Sequence, residues 1–190
     1  MIELIYPEFP APLVRGTENA KAAEMLPVVD EHGNVVAQAP RHYFHHTGSM
    51  ALHPVVHLHA INRAGAIYLQ KRSASKHLFP LRWDTAVGGH ISYGEHVIEA
   101  LYREASEELG FYDFNPISLD AYIFDSGTEK ELINVFGVVG DFELKPDHDE
   151  VEEGRWWTRK EIESSLRKDI FTPNFESEYA RIKEALEALL

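Results

Sequence analysis

The chain contains 190 residues, of which 44% are hydrophobic and 26% are charged, so its composition is that of a globular protein long enough to bury a core. Its formal net charge of −13 argues against a basic surface that grips nucleic acid, and the absence of cysteine excludes disulfides, thiolate metal sites and a cysteine nucleophile. Residues 1–10 are unlike a secretory signal, and no apolar run is long enough to span a membrane. We therefore expect a cytoplasmic protein with no nucleic-acid partner and no membrane partner.

The first half of the chain predicts an N-terminal extension and two β-hairpins. Prolines interrupt residues 1–25, which we treat as the extension, and the domain is expected to span residues 26–190. Turns at residues 31–33 and 62–65 each separate two apolar segments, and a glycine pair at 88–89 ends a further short strand. The predicted strands are residues 26–30, 34–38, 54–61, 66–72 and 85–87.

The second half predicts a central helix, further strands and two C-terminal helices. Apolar residues recur at helical spacing before Gly110, which ends the central helix. Thr158 and Glu161 have the spacing of a capping box, and Pro173 separates the helix they open from the last one. The predicted helices are residues 95–109, 158–168 and 175–189, and the predicted strands are residues 117–124, 131–139 and 153–158. This order indicates an α/β fold in which helices cover both faces of a mixed sheet.

Three glutamates of the central helix project from one face. Glu104, Glu107 and Glu108 stand at positions i, i+3 and i+4, where like charges repel each other by a few tenths of a kcal/mol per pair. A divalent ion that prefers oxygen ligands, such as Mg²⁺, relieves this repulsion and bridges carboxylates to substrate phosphates. The alternative for any such cluster is an ordinary solvated acidic face.

The segment around these glutamates resembles the Nudix box, whose form is G-x5-E-x7-R-E-U-x-E-E-x-G-U with U a bulky aliphatic residue. Residues 89–111 meet every fixed letter, and the departures are Ala105 and Phe111 at two U positions. The resemblance implies a Nudix α/β/α sandwich with a mixed β-sheet and an enzyme that needs Mg²⁺ or Mn²⁺. It also implies that Glu95 supports the site, and that the metal-binding and catalytic residues include Gly89, Arg103, Glu104, Glu107 and Glu108.

A second group of residues combines histidines and carboxylates. His46 and His53 are seven positions apart, and His90 follows the first glycine of the box. Glu129 and Glu131 are two positions apart, which on a strand places both on one face. Nitrogen and oxygen ligands of this kind suit Mn²⁺, Mg²⁺ or Zn²⁺. The alternative is a set of hydrogen-bonded histidines and a solvated strand face.

The chain also resembles one branch of the Nudix superfamily, the type 1 isopentenyl-diphosphate isomerases and their hydrolase relatives. The resemblance runs from about Val28 to Pro173 and includes Leu52-His53, the segment 69–73 and the segment 87–90. It implies that all five residues of the second group bind one metal ion. One departure separates this chain from the isomerases, which use a cysteine two residues before the box histidine. That position is Gly88 here, and a glycine carries no proton, so the departure favours hydrolysis.

Basic residues gather just before the box, and an acidic loop follows it. Lys71, Arg72, Lys76 and Arg82 are candidates for contacts with a diphosphate, and the alternative is an ordinary basic hairpin surface. Glu150, in the acidic loop, is a candidate catalytic base or additional metal ligand, and the alternative is a solvated run of charges.

These observations together predict metal-dependent hydrolysis of a diphosphate bond in a small molecule, a nucleoside diphosphate derivative being the expected substrate. Two alternatives stay open, an isopentenyl-diphosphate isomerase and a non-catalytic Nudix domain that senses a ligand. A homodimer is also left open. The isomerase is disfavoured by the missing cysteine, and the sensor by the intact acidic cluster.

Overall fold

The computed structural model describes residues 1–15, 24–76, 78–147 and 151–190, and of His46 it describes the backbone alone. Helices and strands alternate in the mixed α/β order that the sequence predicts, so the predicted fold class is confirmed. The elements are β1 (Met25–Val29), β2 (Val35–Pro40), α1 (Arg41–His46), β3 (Leu52–Ile61), β4 (Ile67–Arg72), β5 (Trp83–Asp84), β6 (Val87–His90), α2 (Val97–Leu109), β7 (Ile117–Asp125), β8 (Lys130–Val139), β9 (Val151–Trp157), α3 (Arg159–Ser165) and α4 (Pro173–Glu187).

The strands form two sheets. Strands β1 and β2 pair with each other as an antiparallel hairpin, with Leu26 opposite Ala39. The larger sheet has seven strands in the order β5-β4-β3-β8-β7, with β6 paired to β3 and β9 paired to β4. Strands β4 and β9 are antiparallel, and Ile67 lies opposite Trp157.

The chain divides into two compact units. The first contains Met1–Val56, Gly89–Leu101 and Ala121–Asn134, and the second contains His57–Gly88, Tyr102–Asp120 and Val135–Leu190. The division falls within β3, β6, α2, β7 and β8, each of which has residues in both units.

The first unit has a small core around the β1–β2 hairpin. Leu26, Ala39 and Phe44 are buried there. The N-terminal residues attach to this hairpin through their backbone, since the Val35 N–H donates to the Ile5 carbonyl at 2.8 Å. The described part of the N-terminal extension is therefore held against the hairpin.

Aromatic rings form the core of the second unit. Trp83 and Trp157 meet edge to face with their centroids 5.1 Å apart, and Trp157, Phe171 and Phe175 continue the row at 5.1 and 5.0 Å. Such contacts combine a large buried area with favourable ring geometry. This row fixes α4 through Phe175, near its N-terminus.

The structure differs from the predicted elements at three helices. Helix α1 has only six residues and no side-chain cap, so it offers neither apolar periodicity nor a start signal. Pro173 is the first residue of α4 rather than a break before it, because a proline at the first helical position loses no hydrogen bond. The predicted capping box of Thr158 and Glu161 is confirmed, and α3 ends at Ser165. Within the described part of the chain, none of the helices is both long and apolar enough to span a bilayer.

Candidate active site

Helix α2 presents its acidic face because its apolar face is buried. Val97, Leu101, Ala105 and Leu109 are inaccessible to solvent. Their spacing places them on one side of the helix, so the glutamates project from the other side. The burial of one face fixes the rotation of the helix and therefore the direction of its carboxylates.

Glu108 is the most deeply buried of the three glutamates, with an exposed fraction of 8%. Its Oε2 atom accepts hydrogen bonds from the Gln70 side-chain amide at 3.0 Å and from the Gly88 backbone N–H at 3.4 Å. Two donors on one oxygen orient the carboxylate plane. A buried carboxylate held in this way is suited to bind a cation, because desolvation strengthens its attraction to opposite charge.

The guanidinium group of Arg103 contacts the other two carboxylates, those of Glu104 and Glu107. Arg103 Nη1 is 2.9 Å from Glu104 Oε1 and 3.3 Å from Glu107 Oε2. The Glu104 side chain is largely buried, whereas that of Glu107 is 61% exposed. The arginine thus offsets one of the two negative charges within the helix, and this donor set of carboxylate oxygens fits a hard divalent ion.

The start of the box belongs to the first unit, where Glu95 is held in a tight loop. Its side chain accepts the Ser92 backbone N–H at 3.0 Å, and its own N–H donates to the Ser92 carbonyl at 3.0 Å. The Tyr6 hydroxyl donates to the Glu95 carbonyl at 3.2 Å and accepts the Gly94 N–H at 3.0 Å. Gly89 lies in β6, next to His90.

Three histidines of the first unit converge. Among the described residues, the ligand atoms of His45, His53 and His90 all lie within 4.8 Å of one another. The Nε2 atoms of His45 and His90 are 3.0 Å apart, and His45 Nδ1 is 2.7 Å from Glu129 Oε2. A carboxylate behind a histidine fixes its tautomer and raises its basicity as a ligand.

His53 is the buried member of this cluster. It is inaccessible to solvent, and neither of its ring nitrogens has a hydrogen-bond partner among the residues that the structure describes. Burial, followed by the nearby charge of His45, lowers the pKa of His53 to about 4. The ring is therefore neutral at neutral pH, which is the form that binds metal ions. Buried polar atoms without partners are costly, so they indicate a ligand.

The residue of this cluster that sequence reasoning missed is His45. The prediction placed His46 in the site, and its side chain lies outside the described residues. The two histidines are adjacent, and the sequence alone offers no way to choose between them without knowing that they end a short helix. Glu129 lies just before β8, and Glu131 lies half-buried on the strand itself.

Three of the four predicted phosphate-binding residues form ion pairs with acids of the second unit. Lys71 lies 3.9 Å from Glu153. The two arginines form similar pairs, Arg72 with Asp84 at 3.5 Å and Arg82 with Asp169 at 3.1 Å. Lys76 is half-buried in the turn after β4. The proposed base Glu150 lies outside the described residues.

Comparisons with known proteins identify the fold and the family. A model of the NUDIX domain matches residues 51–177. The uncharacterized Nudix hydrolase SCO1686 of Streptomyces coelicolor is 32% identical over 166 residues, which cover 86% of this chain and 91% of that protein. An isopentenyl-diphosphate Delta-isomerase of Mycolicibacterium vanbaalenii is 31% identical over 140 residues, covering 70% and 77%. The crystal structure of DR0079 from Deinococcus radiodurans superimposes with a TM-score of 0.73 at 26% identity, covering 84% and 99%.

These findings agree with the acidic helix and with the predicted resemblance to the isomerase-like branch. The domain match covers most of the chain, and the first relative is similar over almost its whole length. Enzymes of this family hydrolyse diphosphate bonds of small molecules and generally use divalent metal ions. The chain therefore belongs to the Nudix hydrolase family.

Proposed function

We propose that this protein hydrolyses a diphosphate bond in a nucleoside diphosphate derivative, with Mg²⁺ or Mn²⁺ bound on the acidic face of α2. The observation that carries the proposal is Glu108, a buried carboxylate oriented by Gln70 and Gly88 at one end of that face. A divalent ion bound there would withdraw charge from the phosphate and lower the pKa of a bound water.

The residues of α2 have different roles in this proposal. Glu104, Glu107 and Glu108 hold the ion through their oxygens, and Gly89 stays in the proposal as a sequence-based candidate. Arg103 is the partner of Glu104 and Glu107 before the ion binds, since it contacts both carboxylates. Its release from Glu107 costs little, because that carboxylate is 61% exposed and exposed ion pairs are worth about 0–1 kcal/mol.

The basic residues before the box are proposed to bind the substrate phosphates. Lys71, Arg72 and Arg82 each face a carboxylate, so a diphosphate competes with an existing partner. A guanidinium contacts phosphate with two parallel hydrogen bonds, which favours the exchange. Lys76 completes this group of cations.

The histidine cluster is proposed as a second metal site. His45, His53 and His90 offer nitrogen ligands. The carboxylate of Glu129 contacts one of them, His45. His46 and Glu131 stay in the proposal as sequence-based candidates. The buried ring nitrogens of His53 support a bound ion, since neither has a hydrogen-bond partner among the described residues.

The test of the proposed function is a substrate screen with matched variants of α2. Purified protein is incubated with nucleoside diphosphate sugars and dinucleoside diphosphates, with and without Mg²⁺ or Mn²⁺, and phosphorylated products are measured. Glu107→Gln and Glu108→Gln are expected to lower turnover at least about a hundredfold, the scale of losing a key electrostatic contact. Glu99→Gln, at an exposed position of the same helix, is the control. Full activity of both site variants would overturn the assignment.

Two other functions receive less support. A relative named as an isomerase argues for isopentenyl-diphosphate isomerisation. The chain has no cysteine, however, and Gly88 stands where the isomerases place theirs. A non-catalytic sensor has no use for three repelling glutamates on one helix face.

A further inference from the structure

The N-terminal extension is anchored to the β1–β2 hairpin on both sides of Tyr6. Before Tyr6, the Ile5 N–H donates to the Gly33 carbonyl at 2.9 Å. After it, the Val14 N–H donates to the Gln38 carbonyl, also at 2.9 Å. Backbone hydrogen bonds at two separate points fix the course of the segment between them. The Tyr6 side chain therefore projects from a segment whose position is set by the hairpin.

The side chain of Tyr6 contacts the loop of residues 91–96, which joins β6 to α2. Its hydroxyl accepts the Gly94 N–H at 3.0 Å and donates to the Glu95 carbonyl at 3.2 Å. Its ring meets the Tyr93 ring edge to face, with the centroids 5.4 Å apart. Burial raises the pKa of the Tyr6 hydroxyl, so this group is protonated at neutral pH and can donate. Within the described part of the chain, every hydrogen bond and ring contact of this side chain goes to the loop.

Tyr93 makes a second connection between the loop and the extension. Its hydroxyl accepts the N–H of Ala11, a buried residue of the extension, at 2.7 Å. Its own N–H donates to the carbonyl of Met25, at the start of β1, also at 2.7 Å. Two tyrosine hydroxyls, one on each side, therefore join the extension to the loop.

The loop begins directly after His90, the last residue of β6. The first loop residue, Ile91, is inaccessible to solvent, and its N–H lies 3.4 Å from the carbonyl of Pro54, the residue after His53. The rings of His53 and His90 are stacked, with centroids 5.5 Å apart and 17° between their planes. The path of the chain after His90 therefore influences how its ring lies against that of His53. All of these residues belong to the first unit.

We propose that Tyr6 is a positioning residue of the second metal site, through which the N-terminal extension holds the loop after His90. This inference rests on the proposed function, in which His45, His53 and His90 bind an ion. Tyr6 acts through the loop backbone and is not itself a ligand. Groups that orient metal-binding histidines from outside the ligand set change metal affinity about 10–100-fold when they are removed.

A purely structural role for Tyr6 leads to a different expectation. If Tyr6 only packs the extension onto the hairpin, loss of its hydroxyl lowers the stability of the fold but leaves the metal affinity of the folded protein unchanged. Tyr6→Phe separates the two roles, because phenylalanine keeps the ring contact with Tyr93 and loses both hydrogen bonds to the loop.

The test is a titration of the metal-free full chain with Mn²⁺, in which the free ion is measured by electron paramagnetic resonance. His53→Ala identifies the Mn²⁺ binding that depends on the histidines. We expect Tyr6→Phe to raise the Kd of that binding about tenfold or more, and Tyr93→Phe to raise it in the same direction. Tyr112→Phe, at a position that is 70% exposed, is the matched control and should stay within about threefold of wild type.

Two further measurements exclude a merely structural effect. Circular dichroism in urea verifies that each variant is folded under the conditions of the titration. Proton–nitrogen NMR of the metal-free protein is expected to show shifted ring signals of His90 in Tyr6→Phe, and unchanged ring signals of His57, which belongs to the second unit.

The outcomes separate this inference from the proposed function. If folded Tyr6→Phe and Tyr93→Phe both keep the histidine-dependent Kd within about threefold of wild type, the inference is wrong and the proposed function stands. If His53→Ala binds as much Mn²⁺ as wild type, the second metal site is wrong and the role of Tyr6 fails with it. Hydrolysis at α2 is then judged by the substrate screen alone.

Discussion

Replacing Glu178, a buried residue of α4, by leucine is expected to destabilise the protein strongly. The change removes the acceptor of two buried hydrogen bonds, those to His57 Nδ1 and His59 Nε2. Each buried donor left without a partner costs about 1–3 kcal/mol, so the expected loss is about 2–6 kcal/mol. For a domain of this size that corresponds to a fall in Tm of at least about 4 °C. Removing one member of a buried charged group has a cost of similar scale.

The assay is urea unfolding of the two proteins followed by circular dichroism. A lower midpoint with an unchanged slope identifies a change in stability rather than in the extent of unfolding. Glu184→Leu is the matched control, since Glu184 is exposed on the same helix, and its free energy of unfolding should stay within about 0.5 kcal/mol of wild type. Equal stabilities of the two variants would refute the reasoning about the buried cluster.

The stability that Glu178 contributes through its contacts with His57 and His59 is expected to depend on pH. The folded-state pKa of Glu178 lies below its ordinary value of 4.5, so its stabilising contribution is fully present above that pH. The contribution is lost as the pH falls below 4.5 toward the folded-state pKa. The difference in unfolding free energy between wild type and Glu178→Gln should therefore shrink as the pH falls from 4.5 to about 3. A difference that grows as the pH falls below 4.5 would contradict the assigned charge state.

The remaining predictions concern the metal sites, the reaction and one helix cap. His53→Ala is expected to bind one Mn²⁺ fewer per chain than wild type by elemental analysis after dialysis, whereas His96→Ala, at an exposed position, should bind as many as wild type. With isopentenyl diphosphate and Mg²⁺ in deuterated water, the wild type is expected to incorporate no deuterium into carbon; incorporation at an enzymatic rate would favour the isomerase. Gly88→Cys is the variant expected to gain such exchange if the thiol is the deciding difference. Thr158→Ala should lower stability by about 0.5–2 kcal/mol through loss of the α3 cap, and an unchanged urea midpoint would argue against that cap.

The sequence predicts well those features whose signals are local. Helix α2 has apolar residues at helical spacing and a glycine after its end, so it was placed within two residues of its observed start. The capping box of α3 lies within four consecutive residues, and the structure contains both of its hydrogen bonds. The box motif places all three glutamates on this helix without any knowledge of the rest of the fold.

Features that depend on distant partners were not accessible from the sequence. His57 and Glu178 are 121 positions apart, and nothing near Glu178 separates it from the solvated acids of the same helix. Arg82 similarly faces Asp169, 87 positions away, so its ion pair was not predicted. His45 was missed for a different reason, since α1 is too short to produce a periodic pattern.

The division of the chain has a consequence for how its unfolding is observed. All three tryptophans lie in the second unit, and two of them are in ring contact with each other. Tryptophan emission therefore follows the second unit alone. Tyr6, Tyr43, Tyr93 and Tyr122 lie in the first unit and the other four tyrosines in the second, so an optical signal from tyrosine reports on both units, including the one that holds the histidine cluster. Coincident melting curves from the two fluorophores would identify one cooperative transition, and separated curves would identify two.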